Sequence, residues 1–136
     1  MSSRSILVGL DVGEKRIGVS VADLGVRIAI PLETILVDGT EVEAIAKVIA
    51  SEGAELLVVG YPRNQAGEPT TQTDYVEKFA AQLKPFVPKM VYQDESLTSV
   101  IAEQRLKARG GTYQKSDIDA QAAVIILQDY LESHYG

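Results

Sequence analysis

Three acidic residues stand in unlike settings along the chain. Asp11 interrupts the apolar run of Leu10-Asp11-Val12-Gly13-Glu14-Lys15-Arg16-Ile17-Gly18-Val19-Ser20, Glu95 follows Met90-Val91-Tyr92-Gln93-Asp94, and Asp119 follows Ser116-Asp117-Ile118. Carboxylates gathered by a fold can surround a divalent metal, whose hard charge suits oxygen ligands. Each acid also has an ordinary reading. An ionised Asp in a buried strand is costly without a partner, yet Asp11 could cap the Gly13 turn or pair with Lys15 or Arg16. Glu95 could be a solvated acid before a helix, and Asp94 shares its local logic. Asp119 stands three residues after Ser116, where an acid satisfies helix donors and the macrodipole whatever its function, and Asp117 adds a second acid nearby. Local chemistry leaves these alternatives open.

The elements that must position these residues can be read from periodicity. Ile6 to Val12 is apolar and β-branched, as in a buried strand, and Ile17, Val19 and Val21 alternate in a second strand across a four-residue turn. Val26 to Val37 predicts a third strand, placed by Pro31 at an edge or a bulge. Thr40 and Glu43 predict a capping box for a helix through Val42, Ile45, Ala46 and Ile49 that Gly53 ends. Glu55 to Gly60 reads as a strand and Tyr61 to Thr71 as a loop. Tyr75, Val76, Phe79 and Leu83 mark a helix face that Pro85 stops, and Lys89 to Gln93 is a short strand. Thr98 and Ser116 are expected to cap two last helices, with Gly110 and Gly111 between them. The order βββαβαβαα implies an α/β fold: three antiparallel strands, then parallel strands joined by right-handed crossovers, in one mixed sheet flanked by helices.

Composition narrows the classes. At 136 residues the chain has the size of one domain, able to bury about two-thirds of its unfolded surface. With no cysteine it has neither a disulfide framework nor a thiolate site. A net charge of −6 argues against coating nucleic acid non-specifically, which needs many Lys and Arg on phosphates, but an enzyme needs only a local basic patch beside its acids. No apolar run approaches the ~20 residues that span a bilayer, and the N-terminus lacks a signal-peptide pattern. We therefore expect a cytoplasmic protein with no membrane association.

The motifs taken together are more specific than any one of them. Asp11-Val12-Gly13-x-Lys15-Arg16-Ile17-Gly18-Val19-Ser20-x-Ala22-Asp23, Val59-Gly60-Tyr61-Pro62 with Gly67, Asp94-Glu95-x-Leu97-Thr98-Ser99, and Lys115-x-x-x-Asp119-x-x-Ala122-Ala123-x-x-Ile126-Leu127-Gln128-x-Tyr130-Leu131 resemble the YqgF family, also called RuvX. The resemblance covers nearly the whole chain. It implies a single ribonuclease-H-like nuclease domain over residues 1–136, related to the junction resolvase RuvC. Asp11, Glu95 and Asp119 would then be the catalytic, metal-binding acids, served by Mg²⁺ or Mn²⁺. The implied substrate is structured RNA, the 5′ end of the 16S ribosomal RNA precursor, with branched DNA as the alternative, and the active unit is a monomer or a homodimer. Gly13, Lys15 and Arg16 on the first turn, with Arg63 and Lys115 on loops, are the candidate substrate contacts; plain surface charge is the competing reading. Where the family usually has Arg after its Asp-Glu pair, this chain has Ser96. Two readings from other classes compete: an ATPase of the actin and sugar-kinase type, and a non-catalytic nucleic-acid adaptor.

Overall fold

The computed structural model describes residues 5–62, 68, 70–95, 98–112 and 114–135, with the backbone alone at 95, 98–102, 115 and 116. Its elements are β1 (Ile6–Val12), β2 (Arg16–Asp23), β3 (Ile30–Leu36), α1 (Glu41–Glu52), β4 (Ala54–Pro62), α2 (Thr71–Leu83), a 3₁₀ turn (Lys84–Phe86), β5 (Lys89–Glu95), α3 (Thr98–Arg109) and α4 (Lys115–Tyr135). One sheet runs in the order β3-β2-β1-β4-β5. Its β1–β2 and β2–β3 pairs are antiparallel, whereas β1–β4 and β4–β5 are parallel. The expected mixed α/β sheet is therefore the observed one.

Alternation along the strands sends their side chains into two different layers. Val8, Leu10, Val12, Ile17, Val19, Leu57 and Val59 face a core completed by Ile45 and Ile49 of α1 and by Val76, Phe79 and Leu83 of α2. On the opposite face Leu7, Ala22, Leu56 and Val58 meet Val124, Leu127 and Leu131 of α4. Helix α3 packs against α4.

Several boundaries differ from the sequence reading for identifiable reasons. Strand β3 begins at Ile30 rather than Val26, because Asp23 O accepts from both Val26 N and Arg27 N and turns the chain. The Gln128 side chain then serves this segment in place of a strand partner, accepting from Ala29 N at 2.9 Å and donating to Arg27 O at 3.3 Å. Pro31 does sit on the edge strand, beside a register shift opposite Val19 and Ser20. The capping box on α1 does not form: Thr40 donates its hydroxyl to Asp38 Oδ1, and Glu41 rather than Glu43 accepts from Asp38 N and Gly39 N. A capping box forms instead on α2, between Thr70 and Thr73. Gly53 ends α1 in the left-handed conformation, as expected. Both parallel strands outrun their prediction, β4 reaching Pro62 and β5 reaching Glu95.

Candidate active site

The site begins at the β1–β2 hairpin. Gly13 N donates to Arg16 O at 3.0 Å, and a Cβ on Gly13 would stand 2.6 Å from that oxygen, so only glycine fits this turn. The hairpin pairs Asp11 with Gly18, Gly9 with Ser20 and Leu7 with Ala22, and Leu7 and Ala22 lie in the α4-side core. Asp11, Gly18, Gly9 and Ser20 therefore occupy the α4 face of the sheet.

Those small residues let the helix backbone touch the strands. A Cβ added to Gly18 would lie 1.8 Å from Asp119 O and 2.9 Å from Ala120 N. A Cβ on Gly9 would lie 2.8 Å from Leu127 Cβ, and Ser20 Oγ donates to Ala123 O at 2.7 Å. Gly18 and Ser20 are two strand residues apart, about 6.6 Å, while Asp119 and Ala123 are four helical residues apart, about 6 Å. The two contacts thus share one spacing and fix the helix lengthwise. Asp119 is carried to the residue directly across from Asp11.

The electrostatics record that meeting. The Asp11 carboxyl is raised from 3.8 to about 7, first by burial and second by the charge of Asp119. Arg16 Nε donates to Asp119 Oδ2 at 2.6 Å, with the two side chains 31% and 18% exposed. The ion pair considered at the sequence level, Arg16 with Asp11, is replaced by Arg16 with Asp119. Lys15 is exposed on the turn, its carbonyl accepting from Val37 N.

The capping expectation for α4 also changes. The helix starts at Lys115, so Ser116 lies inside it, and Asp117 is the first-turn acid that accepts from Gln114 N at 2.9 Å. Asp119, a residue past that turn, is not a capping residue. Its position serves the contact with Gly18 and the pair with Arg16.

Strand register bears on the choice between Asp94 and Glu95. Val58 pairs with Val91, Gly60 with Gln93 and Pro62 with Glu95, while Tyr61 pairs with Asp94. Since Val58 belongs to the α4-side core, alternation assigns position 95 to the face that carries Asp11 and position 94 to the other. Leu10 pairs with Val59, so the next residue of β4, Gly60, lies beside Asp11 and puts no side chain between β1 and β5 on this face. Glu95 is thus a strand residue rather than a residue past the strand, and its side chain lies outside those described. Arg63 lies outside the described residues, as does the Lys115 side chain.

Among the described residues no group of three potential metal ligands is found. The two acids that do meet fit a divalent cation by their chemistry: both offer oxygen alone, the Asp11 carboxyl is raised to about 7 by burial first and by its neighbour's charge second, and among the described residues one guanidinium, that of Arg16, pairs with Asp119. Among the described residues Asp11 and Asp119 would hold such a cation. The residue most readily missed in the sequence is Gly18. A glycine inside an apolar, alternating strand is the available signal, because it marks close approach of another backbone.

The five-stranded mixed sheet in the order β3-β2-β1-β4-β5, with helices on both faces, belongs to the ribonuclease-H-like class of α/β folds, which its neighbours among solved structures share. Among solved structures, the chain resembles fowlpox virus resolvase in complex with Holliday junction DNA, with a TM-score of 0.60, 10% identity, and coverage of 96% of this chain and 99% of the other. It likewise resembles T. thermophilus RuvC in complex with a Holliday junction substrate, with a TM-score of 0.57, 16% identity, and coverage of 97% and 96%. The family model "RuvX: Holliday junction resolvase" matches residues 5–133, and the chain belongs to that family. Similar relatives named "Putative pre-16S rRNA nuclease" include that of Chloroflexus aggregans, 43% identical over 98% of this chain and 96% of its own length. Another is that of Synechocystis sp., 41% identical over 97% of this chain and 90% of its own length. No described helix is long and apolar enough to cross a membrane.

Proposed function

We propose that this chain acts as a single nuclease domain over residues 1–136, hydrolysing phosphodiester bonds in structured RNA and trimming the 5′ end of the 16S ribosomal RNA precursor. Asp11, Glu95 and Asp119 are its metal-binding acids, and Lys15 reaches the phosphate backbone from the hairpin turn, with Arg63 and Lys115 as further candidate contacts. The observation that carries this reading is the convergence of Asp11 and Asp119 across the Gly18 contact. Family membership and relatives named for RNA processing support the substrate class. Bound Mg²⁺ or Mn²⁺ supplies charge neutralisation of the phosphate and an activated water. The chain's own part is to bring two acids together across the Gly18 contact and to place no side chain at Gly60 beside Asp11.

The family's resolvase description favours a second reading, cleavage of branched DNA. Symmetric cutting of a junction needs a two-fold pair of subunits, whereas trimming an RNA end needs one. The test offers precursor RNA, duplex DNA and a four-way DNA junction in parallel with Mg²⁺ or Mn²⁺, beside an Asp11→Asn control. Metal-dependent RNA cleavage lost in that variant upholds the proposal, and junction cleavage without RNA cleavage replaces it with the second reading. Binding without any cleavage makes the chain an adaptor.

A further inference from the structure

We propose that Arg16 is a built-in counter-cation for Asp119, holding that carboxylate while no metal is bound and giving it up when a divalent ion enters. The proposal rests on the assignment of Asp119 as a metal ligand. The ion pair is close, at 2.6 Å between Arg16 Nε and Asp119 Oδ2, and joins residues 103 apart in sequence. Both partners are fixed by backbone rather than by chance side-chain reach. Arg16 is held at one end by its carbonyl, which accepts from Gly13 N in a turn that only glycine permits. Asp119 is held by the contact of its own carbonyl with Gly18, two strand residues from Arg16 and on the same face. Among the described residues no ion pair reaches Asp11, so the guanidinium neutralises one acid of the two.

A carboxylate oxygen that accepts a guanidinium N–H at this distance presents a blocked lone pair and a like charge to an arriving cation. On this proposal metal entry displaces the arginine, because the two cations repel and compete for the same carboxylate. Released, its guanidinium lies on the hairpin turn beside exposed Lys15, where a substrate phosphate would meet it. The pair then suits two successive partners, Asp119 before metal binding and nucleic acid after it.

The sign of one measurement separates this role from that of a brace for α4. Mn²⁺ affinity is measured by titration calorimetry on the whole chain for wild type, Arg16→Gln and Arg16→Lys, with thermal melts as the folding control. Removing a competing cation tightens Mn²⁺ binding by roughly five- to tenfold in Arg16→Gln, the equivalent of one partly buried ion pair, and leaves Arg16→Lys near wild type. Unchanged or weaker binding in a folded Arg16→Gln overturns the proposal. Folded wild type that binds no Mn²⁺ overturns both this inference and the metal-dependent nuclease reading, whereas wild type that binds with an unaltered variant overturns Arg16's role alone. An independent readout needs no variant: the Arg16 Nε–H resonance, protected from exchange while paired, loses that protection on saturation with Mg²⁺. Its persistence in the Mg²⁺-bound protein refutes displacement.

Discussion

The two faces of the sheet are built on opposite rules. Toward α1 and α2 the central strands present Val8, Leu10, Ile17, Val19 and Leu57, all fully buried and large. Toward α4 the same strands present Gly9, Asp11, Gly18, Ser20 and Ala22, and the helix comes close enough for its backbone to touch theirs. The first face holds helices at side-chain distance and draws its strength from apolar burial. The second keeps an apolar contact with α4 through Leu7, Leu56 and Val58, but along Gly9, Asp11, Gly18 and Ser20 it gives up large side chains for close placement of a helix bearing an acid. Stability and chemistry are thus divided between the two sides of one hairpin, residue by alternating residue.

The division can be broken most sharply on the α4 side. Asp11→Asn, which keeps shape and removes a charge, is expected to lower cleavage by roughly 10³-fold or more, as loss of an essential catalytic group does. Single-turnover cleavage of precursor RNA checks it, and retained activity would dismiss Asp11 from the site. The contrasting change is Leu57→Ala on the other face, expected to cost about 2–5 kcal/mol of stability while leaving the activity of the folded fraction intact. Denaturant unfolding beside a low-temperature assay distinguishes the two effects.

Gly18→Ala should cross the boundary between them. Its methyl cannot coexist with Asp119 O at the observed separation, so α4 must retreat, at about 1–3 kcal/mol of strain, and carry Asp119 away from Asp11. Activity should fall more than stability accounts for. A variant that loses activity only in proportion to its unfolded fraction would show that the contact is merely structural.

Acid–base behaviour gives a further contrast. Because the Asp11 carboxyl lies at about 7 in the fold against 3.8 in the unfolded chain, the fold prefers its protonated form. That contribution is fully present below about 3.8 and is lost as pH rises through 7. Metal-free wild type should therefore lose on the order of 2–4 kcal/mol relative to Asp11→Asn between pH 4 and pH 8. Parallel pH profiles for the two proteins would remove the buried, charge-coupled Asp11 from the description. Smallest is Ser20→Ala, expected to cost about 1 kcal/mol through its lost bond to Ala123 O, with chemical denaturation as the measurement.

Much of this architecture was legible before folding was considered. The order of elements along the chain, the meander followed by crossovers, the Gly53 helix stop and the placing of Pro31 at an edge or bulge all rest on local rules of period, capping and backbone freedom, and they hold. The failures share a cause. Val26 to Ala29 has strand-like composition, but the Gln128 amide and the turn at Asp23 take its backbone partners. Thr40 had a suitable hydroxyl but a nearer acceptor in Asp38. In both cases competition between partners, which no single segment encodes, decided the outcome.

The same distinction governs the site. The sequence by itself determined which residues carry charge, that Asp11 occupies a buried strand and that a glycine-bearing turn follows it, because those follow from side-chain type and short-range spacing. Only the tertiary structure decided that Asp119 stands against Gly18 across from Asp11, that Arg16 serves Asp119, and that position 95 shares Asp11's face while Asp94 does not. These are matters of register and of helix docking at backbone contact. A slip of one residue along a strand would send every side chain to the opposite face, and nothing local forbids it.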